Sequence, residues 1–195
     1  MRVGLLGGSF NPLHQGHLHV ARLARRRLRL DQVWLLVSPG NPLKPAAGMA
    51  GFDDRLASAR AMVDGRRVVA SGLELRLGTR FTVDTLRALR RLFPRVTFVW
   101  LMGADNLIQL PRWRRWAELA GQTALAVLPR PGYNFAALAG QASRRLRHAR
   151  RGAHTAPVLG ADVGPGGPGW VFLPACQHAA SATAIRAARR RQSGV

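Results

Sequence analysis

Short apolar runs alternate along this chain with longer stretches of helical periodicity. Continuous apolar runs predict strands at 2–6, 32–37, 67–70, 96–102, 123–128 and 170–173. Helical patterns predict helices at 17–30, 52–63, 83–92, 113–119, 135–150 and 183–191. Apolar runs without alternation are typical of parallel strands that are covered on both faces. The order of elements therefore predicts an α/β fold with a doubly wound, mostly parallel sheet and helices on both faces.

Two segments differ from this pattern. Residues 73–77 alternate leucine with charged residues and are interpreted as an extension at a sheet edge. Residues 152–169 are rich in Gly, Pro and Ala, and are expected to form a flexible surface loop before the last strand. At 195 residues the chain is expected to be one domain, 1–195, with a substantial core.

The first predicted strand leads directly into the segment GGSFNPLHQGH at 7–17. Glycine lacks a Cβ, so Gly7 and Gly8 allow a tight turn and a close approach to a ligand. The helix that follows presents unpaired N–H groups and a positive dipole end, which favour an anion. His14 and His17 add side-chain donors. A zinc site at these histidines is not expected, because no third ligand lies at suitable spacing. This segment therefore predicts a phosphate-binding site.

Charge and cysteine content restrict the possible functions. The formal net charge is +21, but Lys44 is the one lysine among 30 basic residues. The arginine runs fall on predicted helices, with no aromatic platform or nucleic-acid motif, so no specific nucleic-acid partner is expected. No apolar stretch is long enough to span a membrane, and one cysteine allows no internal disulfide. These features predict a cytoplasmic protein without a membrane partner, as a monomer or homo-oligomer.

The segment at 7–17 resembles the G-G-S-F-N-P-x-H-x-G-H signature of the nucleotidylyltransferases with an H-x-G-H motif. A second segment, SATAIR at 181–186, is similar to their S-S-T-x-I-R motif. The segments WLMGAD at 100–105 and PRPGY at 129–133 extend the resemblance between the two motifs. Within this superfamily the chain most resembles the bacterial adenylyltransferases that join ATP to nicotinate mononucleotide. The resemblance implies a Rossmann-like nucleotidyltransferase domain.

The resemblance also implies roles for individual residues. The expected catalytic residues are His14, His17, Lys44 and Arg186. The expected ATP-binding residues are Gly7, Gly8, Ser9, Phe10, Gly16, Ser181 and Thr183. The expected residues for nicotinate mononucleotide are Thr85, Gly103, Asp105, Trp113 and Arg130, with Trp113 stacking on the pyridine ring. Mg²⁺ is the expected cofactor, and no direct metal ligand is assigned.

Several of these residues have a plainer interpretation. Asp105 follows the strongest apolar run, where it either binds ribose hydroxyls and Mg²⁺ through water or caps a helical turn that begins at Asn106. Lys44 is either a point charge for triphosphate or a chance exception to arginine. Ser181 and Thr183 can cap a helix whether or not they bind phosphate. Spacing alone leaves these alternatives open.

The implied reaction is an in-line attack by the mononucleotide phosphate on the α-phosphorus of ATP, with release of pyrophosphate. The attacking group is already an anion, so positioning and charge neutralisation can supply the catalysis without a general base. Two alternatives stay open: the same chemistry on nicotinamide mononucleotide or phosphopantetheine, and a basic RNA-binding module with no enzymatic activity.

Overall fold

A computed structural model of the protein describes residues 1–40, 48–160 and 167–175. Its sheet contains seven strands in the order β3-β2-β1-β4-β5-β7-β6, and each neighbouring pair is parallel. The strands are β1 Arg2–Gly8, β2 Gln32–Val37, β3 Val68–Ser71, β4 Thr97–Gly103, β5 Ala124–Leu128, β6 Arg150–Arg151 and β7 Trp170–Phe172. The strand order reverses between β1 and β4, so their carboxyl ends flank the crevice in which ligands of such sheets bind.

Helices connect the strands on both sides of the sheet. The α-helices are α1 Gln15–Arg27, α2 Phe52–Met62, α3 Leu73–Arg76, α4 Thr82–Leu92, α5 Ala104–Gln109, α6 Trp116–Gln122, α7 Asn134–Ala139 and α8 Gln141–Arg145. Short 3-10 helices lie at Leu110–Arg112, Arg147–Ala149 and Ala153–Val158. No helix in the described ranges is both long and apolar enough to cross a bilayer.

Two hydrophobic clusters cover the two faces of the sheet. Alternate residues of one strand join different clusters, as Leu101 belongs to one and Trp100 to the other. The interior of β4 and all of β5 are buried. Burial on both faces is the reason that these strands appear as continuous apolar runs, and the predicted α/β fold with a parallel sheet is confirmed.

Two sequence predictions about secondary structure are wrong. Residues 73–77 form the one-turn helix α3 instead of an edge strand, with Glu74 buried and Leu75 exposed. The predicted helix at 135–150 is divided into α7 and α8 by Gly140, whose extended backbone ends one helix and precedes the next. In both places tertiary packing and a glycine override the local periodicity.

Other boundaries shift by a few residues. The helix predicted at 113–119 begins at Trp116, because Arg115 adopts a left-handed conformation with φ of 48°. Helix α1 begins two residues before the predicted start and ends at Arg27, before Arg29 with φ of 48°. The expected loop at 152–169 includes the 3-10 helix Ala153–Val158, and residues 161–166 lie outside the described residues.

Candidate active site

The glycines that end β1 allow close packing of the strand against aromatic rings. A Cβ on Gly7 would lie 2.7 Å from Cη2 of Trp100, and one on Gly8 would lie 3.2 Å from the Phe10 ring. Neither glycine has a positive φ; the left-handed residue of this turn is Phe10, with φ of 43°. The Asn11–Pro12 peptide bond is cis. The two glycines thus make room for the Trp100 and Phe10 rings, while the expected tight turn occurs at Phe10 instead; a close approach of this backbone to a ligand stays a prediction.

His14 and His17 form a reciprocal cap at the start of α1. Nδ1 of His14 accepts a hydrogen bond from the Gly16 N–H at 3.1 Å, and Nδ1 of His17 accepts from the His14 N–H at 3.4 Å. Their rings lie 3.8 Å apart between centroids, and Phe10 packs edge-on against His17. Because each Nδ1 is an acceptor, the proton of each neutral imidazole resides on Nε2. Both side chains are therefore held as Nε2–H donors beside the positive end of the helix.

A cavity of about 330 Å³ opens at the carboxyl ends of β1 and β4. Five of the residues expected from the sequence line it: Gly7, Gly8, Ser9, Asp105 and Trp113. Its other lining residues are Ser38, Gly40, Glu74, Arg80, Phe81, Thr82, Trp100, Asn106, Gln109, Arg112 and Arg114. His14 and His17 are not among the lining residues, and neither are Phe10 and Gly16, which contact the two histidine side chains. Gly103 and Arg130 contact Asp105 from outside the lining.

Asp105 lies in the first turn of α5 and projects a carboxylate into the cavity wall. Its Oδ2 lies 3.7 Å from Nε of Arg130, and its Oδ1 is buried without a hydrogen-bond partner in the structure. A Cβ on Gly103 would lie 2.5 Å from Oδ1, so only glycine leaves room for this side chain. Gly103, not Asp105, is the N-cap residue of α5, which excludes the capping interpretation. A buried, unpaired carboxylate oxygen is suited to accept from a ligand hydroxyl or a bound water.

Trp113 forms an aromatic wall together with Trp100. The two rings pack edge to face with centroids 6.2 Å apart. Trp113 precedes α6 in an extended conformation, and its N–H donates to the Leu110 carbonyl. Two residues later, Arg115 pairs with Asp84 of α4. The guanidinium of Arg114 lies 4.8 Å from the centre of the Phe81 ring. These contacts fix flat apolar surfaces that suit a planar ligand ring.

Thr85 is buried beneath the cavity wall and does not line the cavity. Its hydroxyl contacts Glu74 Oε1 at 3.4 Å and the Thr79 hydroxyl at 2.9 Å. Glu74 itself lines the cavity, and burial raises the pKa of its carboxyl to about 7. The sequence analysis did not identify Glu74 as a site residue. The available signal was an acidic residue between two leucines, in a chain that has only nine acidic residues.

Arg55 of α2 connects three segments around the site. Its buried guanidinium donates to the carbonyls of Ser9 at 2.7 Å and Ser38 at 2.9 Å, and its Nε donates to Ala50 at 3.0 Å. A fourth hydrogen bond reaches Pro39 at 3.4 Å. No motif marked this arginine among so many others, because its partners are backbone carbonyls that are distant in sequence.

Four expected site residues lie outside the described residues: Lys44, Ser181, Thr183 and Arg186. Their roles stay predictions. Within the described ranges, no three metal-ligating side chains lie together. Of the two acidic residues that line the cavity, Glu74 and Asp105, it is Asp105 that has an unpaired oxygen, which could accept from a metal-coordinated water.

Known proteins show extensive similarity to this chain. A family model for cytidylyltransferase-like proteins matches residues 5–188. A probable nicotinate-nucleotide adenylyltransferase of Gluconacetobacter diazotrophicus is 59% identical over 98% of the chain and 87% of the relative. A protein of the same name from Gluconobacter oxydans is 59% identical over 95% of the chain and 94% of the relative.

A solved structure is also similar in fold. The nicotinic acid mononucleotide adenylyltransferase of Plasmodium falciparum, complexed with NaAD, matches with a TM-score of 0.69. The match covers 95% of this chain and 82% of that chain at 15% identity, so it is evidence for the fold alone. The family model and the bacterial relatives span nearly the whole chain, the H-x-G-H cap included. The chain is thus a member of the cytidylyltransferase-like family and of its branch of bacterial nicotinate-nucleotide adenylyltransferases.

Proposed function

We propose that this enzyme transfers the adenylyl group of ATP to nicotinate mononucleotide, giving deamido-NAD and pyrophosphate. The observation that carries the proposal is the pair of Nε2–H donors at the start of α1, held by a reciprocal cap next to an aromatic cavity. The relatives at 59% identity bear the name of this activity. A cytoplasmic location stays a prediction.

The chemistry requires two anions to be brought together. The mononucleotide phosphate attacks the α-phosphorus of ATP, and the bond from this phosphorus to the bridging oxygen of pyrophosphate breaks. No proton needs to be removed from the attacking oxygen. His14 and His17, with the N–H groups at the start of α1, would stabilise the negative charge that develops on the phosphate oxygens.

The two ends of the acceptor would lie at different walls of the cavity. The phosphate would face the turn that contains Gly7 and Ser9, where the attack takes place. Asp105 would accept hydrogen bonds from ribose hydroxyls, and the pyridine ring would lie against Trp113. Arg130, 3.7 Å from Asp105, holds the carboxylate from behind.

Mg²⁺ is part of this proposal because the reacting phosphates carry several negative charges. When bound, it would neutralise the phosphates of ATP. Asp105 is the described carboxylate that could contact its water shell. Lys44, Ser181, Thr183 and Arg186 are proposed to contact the triphosphate, by resemblance of their motifs to those of the family.

Pyrophosphate release tests the proposal. Purified protein is mixed with ATP, Mg²⁺ and each of three acceptors: nicotinate mononucleotide, nicotinamide mononucleotide and phosphopantetheine. We expect the highest kcat/KM with nicotinate mononucleotide. The absence of pyrophosphate with every acceptor, together with tight and salt-dependent RNA binding, would instead support the non-enzymatic alternative.

A further inference from the structure

Glu74 is a titratable group in the cavity wall with no role in the reaction described above. It lies on α3, directly after the edge strand β3, and only 7% of its surface is exposed. Its carbonyl accepts from the Thr79 N–H at 3.0 Å, while its Oε1 accepts from the Thr85 hydroxyl. The carboxyl group is thereby fixed at the start of the segment that carries Phe81 and Thr82 into the cavity.

The charged groups around this cavity come from several elements. Arg80 precedes α4, Asp105 lies on α5, and Arg112 and Arg114 lie in the segment before α6; all four line the cavity with Glu74. Asp105 is engaged with Arg130. In the part of the chain that the structure describes, Glu74 itself makes no ion pair.

We propose that the protonated Glu74 carboxyl is a specificity-determining group that donates a hydrogen bond to the carboxylate of an acidic pyridine mononucleotide. This inference rests on the proposed function and extends it to the choice between acid and amide acceptors. A carboxyl group that retains its proton donates to an anionic carboxylate, whereas an ionised one repels it. The amide acceptor carries no charge at that position and avoids this repulsion.

The proton balance follows from the surroundings of Glu74. Burial without a cation raises the pKa of its carboxyl to about 7, so the group exchanges its proton near neutral pH. A bound carboxylate would raise this pKa further, and binding of the acid acceptor would then take up one proton. Binding of the amide acceptor would not. Both acceptors carry the same phosphate and ribose, so titration of those groups cancels in the comparison.

The first measurement compares the two acceptors across pH. Wild-type enzyme is assayed with nicotinate mononucleotide and with nicotinamide mononucleotide. The KM for the acid acceptor is divided by the KM for the amide acceptor, and this ratio is followed. Linkage to a single proton with a pKa near 7 raises this ratio about twentyfold between pH 6.5 and 8.5. E74Q, which cannot ionise, should show a flat ratio, and D53N, at an exposed acid of α2, should behave as wild type. An unchanged slope in E74Q would overturn the proposal.

The second measurement does not depend on turnover. Calorimetric titration of wild-type protein with nicotinate mononucleotide at pH 7.5, in buffers of different ionisation enthalpy, should show uptake of most of one proton. E74Q should show none, and nicotinamide mononucleotide should show none with either protein. A purely structural role would instead raise both KM values together in E74Q and leave proton uptake intact.

These readouts separate the two proposals. If the proposed function is wrong, nicotinate mononucleotide yields no pyrophosphate or is a poorer acceptor than one of the other two compounds. If only the role of Glu74 is wrong, pyrophosphate forms but the KM ratio of wild-type enzyme is independent of pH. That last result needs no variant, so it decides the matter even if E74Q fails to fold.

Discussion

The two ends of the cavity are built in different ways. At one end, Gly7, Gly8 and Ser9 line the cavity, and the nearby His14 and His17 rings accept hydrogen bonds from backbone groups within three residues. At the other end, the wall formed by residues 74–85 with Trp113 depends on contacts between separate elements, such as Arg115 with Asp84. The first end offers donors fixed by the helix start, and the second offers aromatic faces and a titratable carboxyl. An enzyme can thus keep its phosphate chemistry while its acceptor choice changes.

The largest expected effect is at the locally built end. H17A should lower kcat on the order of a hundredfold, since it removes the donor that we propose acts on the reacting phosphates. Steady-state assays with saturating ATP and acceptor measure this loss. H19A, two residues further along α1, is the matched control and should retain kcat. A normal kcat in H17A would remove His17 from the chemistry.

The second prediction concerns stability at the opposite end. The folded pKa of Glu74 lies near 7, above its ordinary value of 4.5, so the folded chain holds a proton that the unfolded chain releases. The stabilisation is complete below about pH 4.5, falls as pH rises to 7, and is absent above it. The full loss is at most about 3 kcal/mol. E74Q lacks this loss, so its stability relative to wild type should rise between pH 5 and 8.

Urea denaturation at a series of pH values measures the free energy of unfolding for both proteins. The free energy of unfolding of D53N should change with pH in the same way as that of the wild-type protein. Parallel curves for wild type and E74Q would show that the carboxyl is ionised in the folded protein at pH 5.

A third prediction tests the junction between the two ends. G7A places a Cβ 2.7 Å from the Trp100 ring, which must move or remain strained. Overpacking of this kind costs about 2 kcal/mol of unfolding free energy. The control is G121A, on an exposed part of α6 with open space around its Cβ, which should be neutral or slightly stabilising. Equal denaturation midpoints for G7A and wild type would contradict this account.

The smallest effect is expected for the aromatic wall. W113A should raise KM for nicotinate mononucleotide about tenfold and leave KM for ATP unchanged, because we propose that this ring stacks on the pyridine. W113F keeps a flat surface and should lose much less. A similar rise in both KM values would indicate that Trp113 supports the fold of the cavity and not the acceptor.

The sequence predicted residues at both ends of the cavity, Asp105 and Trp113 included, but missed those whose contacts join separate elements. The order of apolar runs was sufficient to predict the parallel sheet. The segment at 7–17 predicted side-chain donors at a helix start, because the cap bonds of His14 and His17 join residues that are close in sequence; their contact with phosphate stays a prediction. Glu74 was interpreted as part of a strand, since alternation over five residues resembles an edge strand more than a single helical turn. Thr85 was placed near the acceptor, but only packing reveals that it lies beneath Glu74. Arg55 carries no local pattern at all.

The guanidinium of Arg55 holds three segments of the backbone together. It bonds to carbonyls that follow β1, follow β2 and precede α2, so displacing any one of these segments breaks bonds to a cation shared with the others. The guanidinium therefore links the backbone at Ser9 to the backbone at Ser38. Lysine, with a single nitrogen at its tip, could not span all of these acceptors and would uncouple them.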